Sequence, residues 1–267
     1  MKTAKDNSEI KAVILAAGLG TRLRPLTDTI SKQMIPIAPG KPLLEHTIEL
    51  LREQGFKDLI INVHWLPKII TDYFGDGSAF GVHIAYSDES DQLLETAGAI
   101  KKMEDMLSDP FILLYGDQLH FIDFRPMLEE HRNHSALATI ALKRSDLPQN
   151  GDLAEIDPET KKIVKWHQRP HNITEFGDRM YLNTGLDVLS KRILDHVPAG
   201  RPVKLDIEII PPLVEAGEPI YGYVLEDEVL DVGTMEKYEI AKAWYKEKIS
   251  TSQKSEAPND AIGSGGQ

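Results

Sequence analysis

A chain of 267 residues that is 41% hydrophobic can bury one sizeable α/β core or two smaller ones. Its formal charge of −12, from 42 acidic against 30 basic residues, opposes binding to a nucleic-acid backbone or an anionic membrane, because both need basic surface. Without cysteine there are no disulfides, thiol nucleophiles or thiolate metal sites, which fits a cytoplasmic setting.

Residues 1–10 are polar and read as a flexible arm. Residues 12–17 form a short apolar run bounded by glycine, which predicts a buried central strand and is too short to span a membrane. The loop after it carries Gly18 and Gly20, whose missing Cβ atoms let backbone approach a ligand. Arg22, Arg24 and Lys32 then place three cations close together in an acidic chain. Amides at a strand-to-turn junction with cations nearby suit polyphosphate oxygens. A Gly-x-Gly alone is also an ordinary β–α connection. Leu23 stands where the dinucleotide fingerprint needs glycine, and Gly20-Thr21-Arg22 replaces the Walker Gly-Lys-Ser/Thr. Pro25 opposes a long helix, so the loop is expected to wrap its ligand.

Apolar periodicity then predicts helices at 43–54, 67–74 and 97–107 and strands at 59–63, 82–86, 111–115 and 136–142. Asp123 is a candidate cap for a helix over 127–132. Beyond 142 the pattern changes to a hairpin of 153–156 and 162–166, a strand at 181–189, a helix at 206–216, a strand at 220–225 and a last helix at 235–248. Residues 249–267 read as a disordered tail. Alternating strands and helices predict an α/β fold with a mostly parallel central sheet and helices on both faces. A nucleotide half (11–142) and a sugar-phosphate half (143–248) are expected to share one cleft at strand C-termini.

Leu15-Ala16-Ala17-Gly18, then Gly20-Thr21-Arg22-Leu23, Pro25-Leu26-Thr27, Lys32 and Lys41-Pro42 resemble the signature of the sugar-1-phosphate nucleotidyltransferases. The resemblance implies one Rossmann-like domain. It also implies a nucleotide held by Leu15, Ala16, Ala17, Gly18, Gly20, Thr21 and Arg22, with Arg22 on the triphosphate and Lys32 at the reacting phosphates. Asp117 and Asp231 would each serve as a turn or cap residue, or as a hard oxygen ligand for Mg²⁺. Their surroundings, Tyr115-Gly116-Asp117 and Leu230-Asp231-Val232-Gly233-Thr234, resemble the family's metal motifs and favour Mg²⁺. Thr234 is a plausible cap of the last helix.

Leu94-Glu95-Thr96-Ala97-Gly98-Ala99 reads alone as helix packing, but it resembles the block that lines base and sugar, which nominates Glu95 and Gly98. Glu95 in place of glycine resembles the N-acetylmuramate-1-phosphate uridylyltransferases. Gln168-Arg169-Pro170 stands where the family has Glu-Lys-Pro: Gln168 keeps hydrogen bonding without charge, and Arg169 keeps a cation for the sugar phosphate. Asn183 and Thr184 are candidate sugar-hydroxyl contacts, with plain strand interior as the competing reading. His64, Trp65 and His167 read as packing.

The implied reaction joins an NTP and a sugar 1-phosphate into an NDP-sugar and pyrophosphate. UTP or dTTP is favoured by the Glu95 block and Ser31-Lys32-Gln33, with GTP open. A catalytically silent NDP-sugar sensor is the alternative. Homo-oligomerisation stays open.

Overall fold

The apolar run near the start of the chain becomes the interior of a nine-stranded sheet. The computed structural model describes residues 7, 9–144 and 147–255. In chain order it contains β1 (Lys11–Leu15), β2 (Pro36–Ala38), β3 (Lys41–Pro42), α1 (Leu43–Glu53), β4 (Asp58–Val63), α2 (Pro67–Phe74), β5 (His83–Asp88), α3 (Glu95–Lys102), β6 (Phe111–Tyr115), β7 (Gln118–His120), α4 (Phe124–Asn133) and β8 (Ala138–Lys143). The second half adds β9 (Leu153–Ile156), β10 (Ile163–His167), β11 (Met180–Leu189), α5 (Ile210–Glu215), β12 (Ile220–Val224), β13 (Val229–Asp231) and α6 (Met235–Ser255).

The strand order is β10-β9-β11-β6-β1-β4-β5, with β8 paired to β11 and β12 to β8. β6, β1, β4 and β5 are mutually parallel, and within this sheet only β11 and β10 run against the rest. Alternation along β1 explains the layering. Val13 and Leu15 face a core shared with Ile100 of α3 and Leu213 of α5. Ile14 faces Ile48 of α1, Ile70 of α2 and Leu128 of α4. A strand covered on both faces needs continuous apolar sequence, and each such side chain contributes about 1.5–3 kcal/mol. The expected mostly parallel sheet with helices on both faces is what forms.

A third, smaller core joins Leu23 and Ile35 of the loop after β1 to Leu119, Val232 and Tyr238. The Tyr238 hydroxyl donates to the Pro36 carbonyl at 2.6 Å. This core fastens the basic loop to α6. Asp123 caps α4 by accepting from the Arg125 amide at 2.9 Å, and Thr234 accepts from the Lys237 amide at 3.3 Å.

Three expectations are corrected. The helix expected at 97–107 begins at Glu95 and ends at Lys102, with a 3-10 turn at Glu104–Met106. The helix expected at 206–216 is a π-helical turn, Leu205–Ile209, followed by α5. Pro211 and Pro212 have no N–H to donate back to residues 207 and 208, so a regular α-helix cannot run through. The last helix passes 248 and reaches Ser255, with Ser250 and Thr251 turning their hydroxyls back onto the carbonyls of Lys246 and Glu247 at 2.7 and 2.9 Å. The rest of the expected tail, residues 256–267, and the arm apart from Asn7, Glu9 and Ile10 lie outside the described residues. No helix among the described residues is long and apolar enough to cross a membrane.

Candidate active site

The loop leaving β1 is braced before it reaches any ligand. The Ala16 amide donates to Asn62 Oδ1 at 2.6 Å, and Asn62 Nδ2 donates to Glu89 Oε1 at 2.8 Å. Leu15 lies in the ladder between β4 and β6. The Ala16 amide and the Leu15 carbonyl, which accepts from the Gly116 amide at 2.9 Å, thus fix the start of the loop. Ala17 is buried, while Gly18, Thr21 and Arg22 are open to solvent. Gly20 is left-handed (φ 63°) and its carbonyl accepts from the Thr27 hydroxyl at 2.7 Å. A Cβ there would sit 2.9 Å from Thr27 and 3.2 Å from Lys32. That tight fold sets Lys32 under the loop as a short 3-10 turn.

β7 and β13 bring the two aspartates together. They pair antiparallel with Asp231 opposite Gln118, and the Val232 amide donates to the Asp117 carbonyl at 3.0 Å. The buried Lys32 donates to the Asp117 carboxylate and lies 3.9 Å from Asp231 Oδ1. Lys237, in the first turn of α6, lies 2.8 Å from Asp231 Oδ2. Gly233 leaves room for this convergence: a Cβ there would stand 2.8 Å from the Asp231 carboxylate and 3.1 Å from the Arg22 guanidinium. Arg22, Lys32, Asp117 and Asp231, distant in sequence, thus share one corner.

Among the described residues no cluster of three or more His, Cys, Asp or Glu side chains could cage a metal. Two convergent carboxylates without further protein ligands suit Mg²⁺, which keeps waters and takes phosphate oxygens to complete its shell.

The corner opens into a cleft of about 710 Å³. Arg22, Asp117 and Asp231 line it, as do Arg169, Asn183 and Thr184 from the second half. Arg169 is anchored by its amide to Asp152 Oδ1 at 2.8 Å and by Nη1 to the Asn150 carbonyl at 2.9 Å. The Thr184 hydroxyl donates to the Ala141 carbonyl of β8 at 2.8 Å, so its proton is used within the sheet. Asn183 accepts from the Gly185 amide at 3.0 Å and donates to Asp206 at 3.2 Å. Gln168 is exposed and lies outside the lining.

Glu95 and Gly98 are also outside this cleft. A Cβ on Gly98 would meet the Arg201 carbonyl at 2.7 Å, and the Ala97 and Gly98 amides donate to the Val203 carbonyl at 2.9 and 3.2 Å. This glycine lets α3 dock on backbone. Glu95 faces Lys204 at 3.9 Å. These contacts are those of helix packing, the first of the two readings of this block.

Several lining residues carried no signal in the sequence. Lys143 ends β8 and donates to the Val229 carbonyl at 2.8 Å; burial depresses its pKa. Gln118 donates to the Thr184 carbonyl at 2.5 Å, and its own Oε1 is buried without a partner. Asp206 accepts from the Tyr115 hydroxyl at 3.2 Å and from Asn183. Burial, then the neighbouring Asp152 carboxylate, raise its pKa to about 6. Such environments emerge only when β6, β11 and the π-turn meet.

The family model described as nucleotidyl transferase matches residues 11–248. The UTP–glucose-1-phosphate uridylyltransferase of Synechocystis sp. is 36% identical over 242 residues, covering 86% of this chain. The chain spans only 61% of that relative's length. The N-acetylmuramate α-1-phosphate uridylyltransferase of Neisseria meningitidis is 49% identical over 116 residues, 43% of this chain and 50% of the relative. A solved structure of HddC from Yersinia pseudotuberculosis superposes with a TM-score of 0.74 at 24% identity, covering 88% of this chain and 99% of that one, which shows shared fold. With the loop signature, the paired aspartates and the match across the ordered domain, the chain belongs to the nucleotidyl transferase family.

Proposed function

We propose that the cleft joins a nucleoside triphosphate to a sugar 1-phosphate, releasing pyrophosphate. The observation that carries this is the shared corner: Lys32 between Asp117 and Asp231, with Arg22 beside the Asp231 carboxylate at Gly233. Residues 11–142 form the nucleotide half and 143–248 the sugar-phosphate half.

A phosphate monoester has a second pKa near ~6 and is largely dianionic at neutral pH. The attacking oxygen is already ionised, and no general base is needed. It attacks the α-phosphorus in line; the new bond is to the sugar phosphate oxygen, and the bond to the β-phosphate bridging oxygen breaks. The difficulty is bringing two polyanions together, which calls for positioning and fixed positive charge. Arg22 holds the leaving pyrophosphate, Lys32 faces the α-phosphate and Arg169 holds the sugar phosphate. Lys143 and Lys237 add charge to the same walls. Asp117 and Asp231 would hold Mg²⁺, which when bound neutralises phosphate charge.

UTP or dTTP is the preferred nucleotide in this reading, with the uridylyltransferase relatives in support and GTP as the competitor. A silent NDP-sugar sensor has no need of the intact set Arg22, Lys32, Asp117 and Asp231. Pyrophosphate release measured for UTP, dTTP and GTP against hexose, amino-sugar and heptose 1-phosphates tests the proposal. Turnover with one pairing is expected; binding of NDP-sugars without release from any pairing establishes the sensor. The acidic, cysteine-free chain supports a cytoplasmic setting.

A further inference from the structure

The sugar end of the cleft has a carboxylate that nothing in the resting protein requires. Asp206 lines the cleft from the π-helical turn Leu205–Ile209, whose first amide is fixed by the Thr96 hydroxyl at 2.7 Å. Each of its oxygens accepts one hydrogen bond, Oδ2 from Tyr115 and Oδ1 from Asn183, both at 3.2 Å. A carboxylate offers about four lone-pair positions, so acceptor capacity remains on both oxygens. Among the described residues no ion pair to Asp206 is formed within 4.0 Å.

Most of the other polar side chains that line this end already have partners in the protein. Asp152 Oδ1 takes the Arg169 amide, the Thr184 hydroxyl is turned into β8, and Asn183 is spent on Gly185 and Asp206. Gln118, which lines the same cleft, keeps a buried Oε1 with no donor. A sugar ring brings several hydroxyl donors and needs acceptors in this place. Gln168, exposed and outside the lining, does not supply one.

We propose that Asp206 is the residue that accepts sugar hydroxyls in this cleft and sets which sugar is taken, with Tyr115 and Asn183 as its positioning residues. This rests on the NTP–sugar 1-phosphate reading of the cleft. A half-buried carboxylate with acceptor capacity unused is less well solvated than one in open water, and hydroxyl donors from a ligand relieve that. A site built around a polar contact strongly rejects analogues lacking the partner group.

The test compares wild type with Asp206→Asn, which keeps the shape, and with Asp206→Glu, which keeps the charge one methylene further out. Binding of UDP-, dTDP- and GDP-sugars, and of the corresponding free diphosphates, is measured by calorimetry. Deoxy analogues of the best sugar 1-phosphate are then assayed for pyrophosphate release. We expect Asp206→Asn to weaken the NDP-sugar at least ~10-fold while the free diphosphate binds within about twofold. Discrimination against one deoxy analogue should shrink by a similar factor, with the Glu variant intermediate. Unchanged sugar binding and unchanged discrimination in a folded variant overturn the proposal for Asp206 alone. If wild type neither binds an NDP-sugar nor turns over any pair, the reading of the whole cleft fails instead, and Asp206 with it. Should the Asn variant not fold, the Glu variant decides by the same two readouts.

Discussion

The Lys32 ammonium stands 3.9 Å from Asp231 Oδ1 while donating to the carboxylate of Asp117. One cation thus joins the basic loop to both acidic motifs, and it is 7% exposed. Replacing Lys32 takes away the cation that bridges the two carboxylates, and replacing Asp117 takes away its hydrogen-bond partner, while Asp231 keeps Lys237 as a second partner. Lys32→Ala and Asp231→Ala should each lower pyrophosphate release by ~10²-fold or more, the scale for a single charge-stabilising group. Near-normal release from either variant contradicts the assignment.

The proposed Mg²⁺ would have to share Asp117 and Asp231 with Lys32 and Lys237, which makes its binding measurable. Mn²⁺ titrated into wild type and followed by electron paramagnetic resonance should bind in the presence of nucleotide, and Asp117→Asn or Asp231→Asn should weaken it at least ~10-fold. Chelation should stop turnover and Mg²⁺ should restore it. Equal Mn²⁺ affinity in wild type and both variants would remove the metal from this corner.

The raised pKa of Asp206 makes stability depend on pH in a definite direction. Its folded pKa is about 6 against a reference of 3.8. Between those values the folded state keeps the proton and the unfolded chain has lost it, so the contribution is most favourable below about pH 4 and declines as pH rises to about 6. The loss reaches up to about 3 kcal/mol at neutral pH, reduced by whatever water in the cleft screens. Tyr115, Asp152, Asp187 and Arg169 surround the group and shape the curve. Denaturant melts should show Asp206→Asn gaining on wild type as pH rises from about 4 to about 7. A gap that stays constant over that range contradicts the burial argument.

Gly98 separates packing from nucleotide contact. Gly98→Ala places a methyl 2.7 Å from the Arg201 carbonyl, and backbone cannot move as a flexible side chain does. The variant should lose about 1–3 kcal/mol of stability, the usual cost of overpacking, with the KM for the nucleotide within about twofold of wild type. Intact stability with a strongly raised KM would return Gly98 to the nucleotide site.

The sheet was legible because its strands are long and apolar. Residues 111–115 and 67–74 match β6 and α2 end for end, and the hairpin read at 153–156 and 162–166 forms around its Asp157 turn with the second strand one residue later, at Ile163–His167. β7 and β13, the strands that join the aspartates, are three residues each. Three residues are too few to show alternation, so the pairing of Asp117 with Asp231 was visible only through the family resemblance. Asp206 lay in an apparently helical stretch, and its chemistry depends on Tyr115 and Asn183 from other strands. The short block around Gly98 has small residues that serve ligand approach and helix packing equally well, and sequence does not tell them apart. Gln168 is nominated by its motif position, and it falls just past the end of β10, exposed.

The miniature β7–β13 ladder also orders events in time. During translation the basic loop and Asp117 leave the ribosome long before residue 231. A nascent chain therefore carries clustered positive charge and a single acid where the finished protein has two. The corner that gathers both carboxylates around Lys32 can therefore assemble only after residue 231 has been made and β13 has paired with β7.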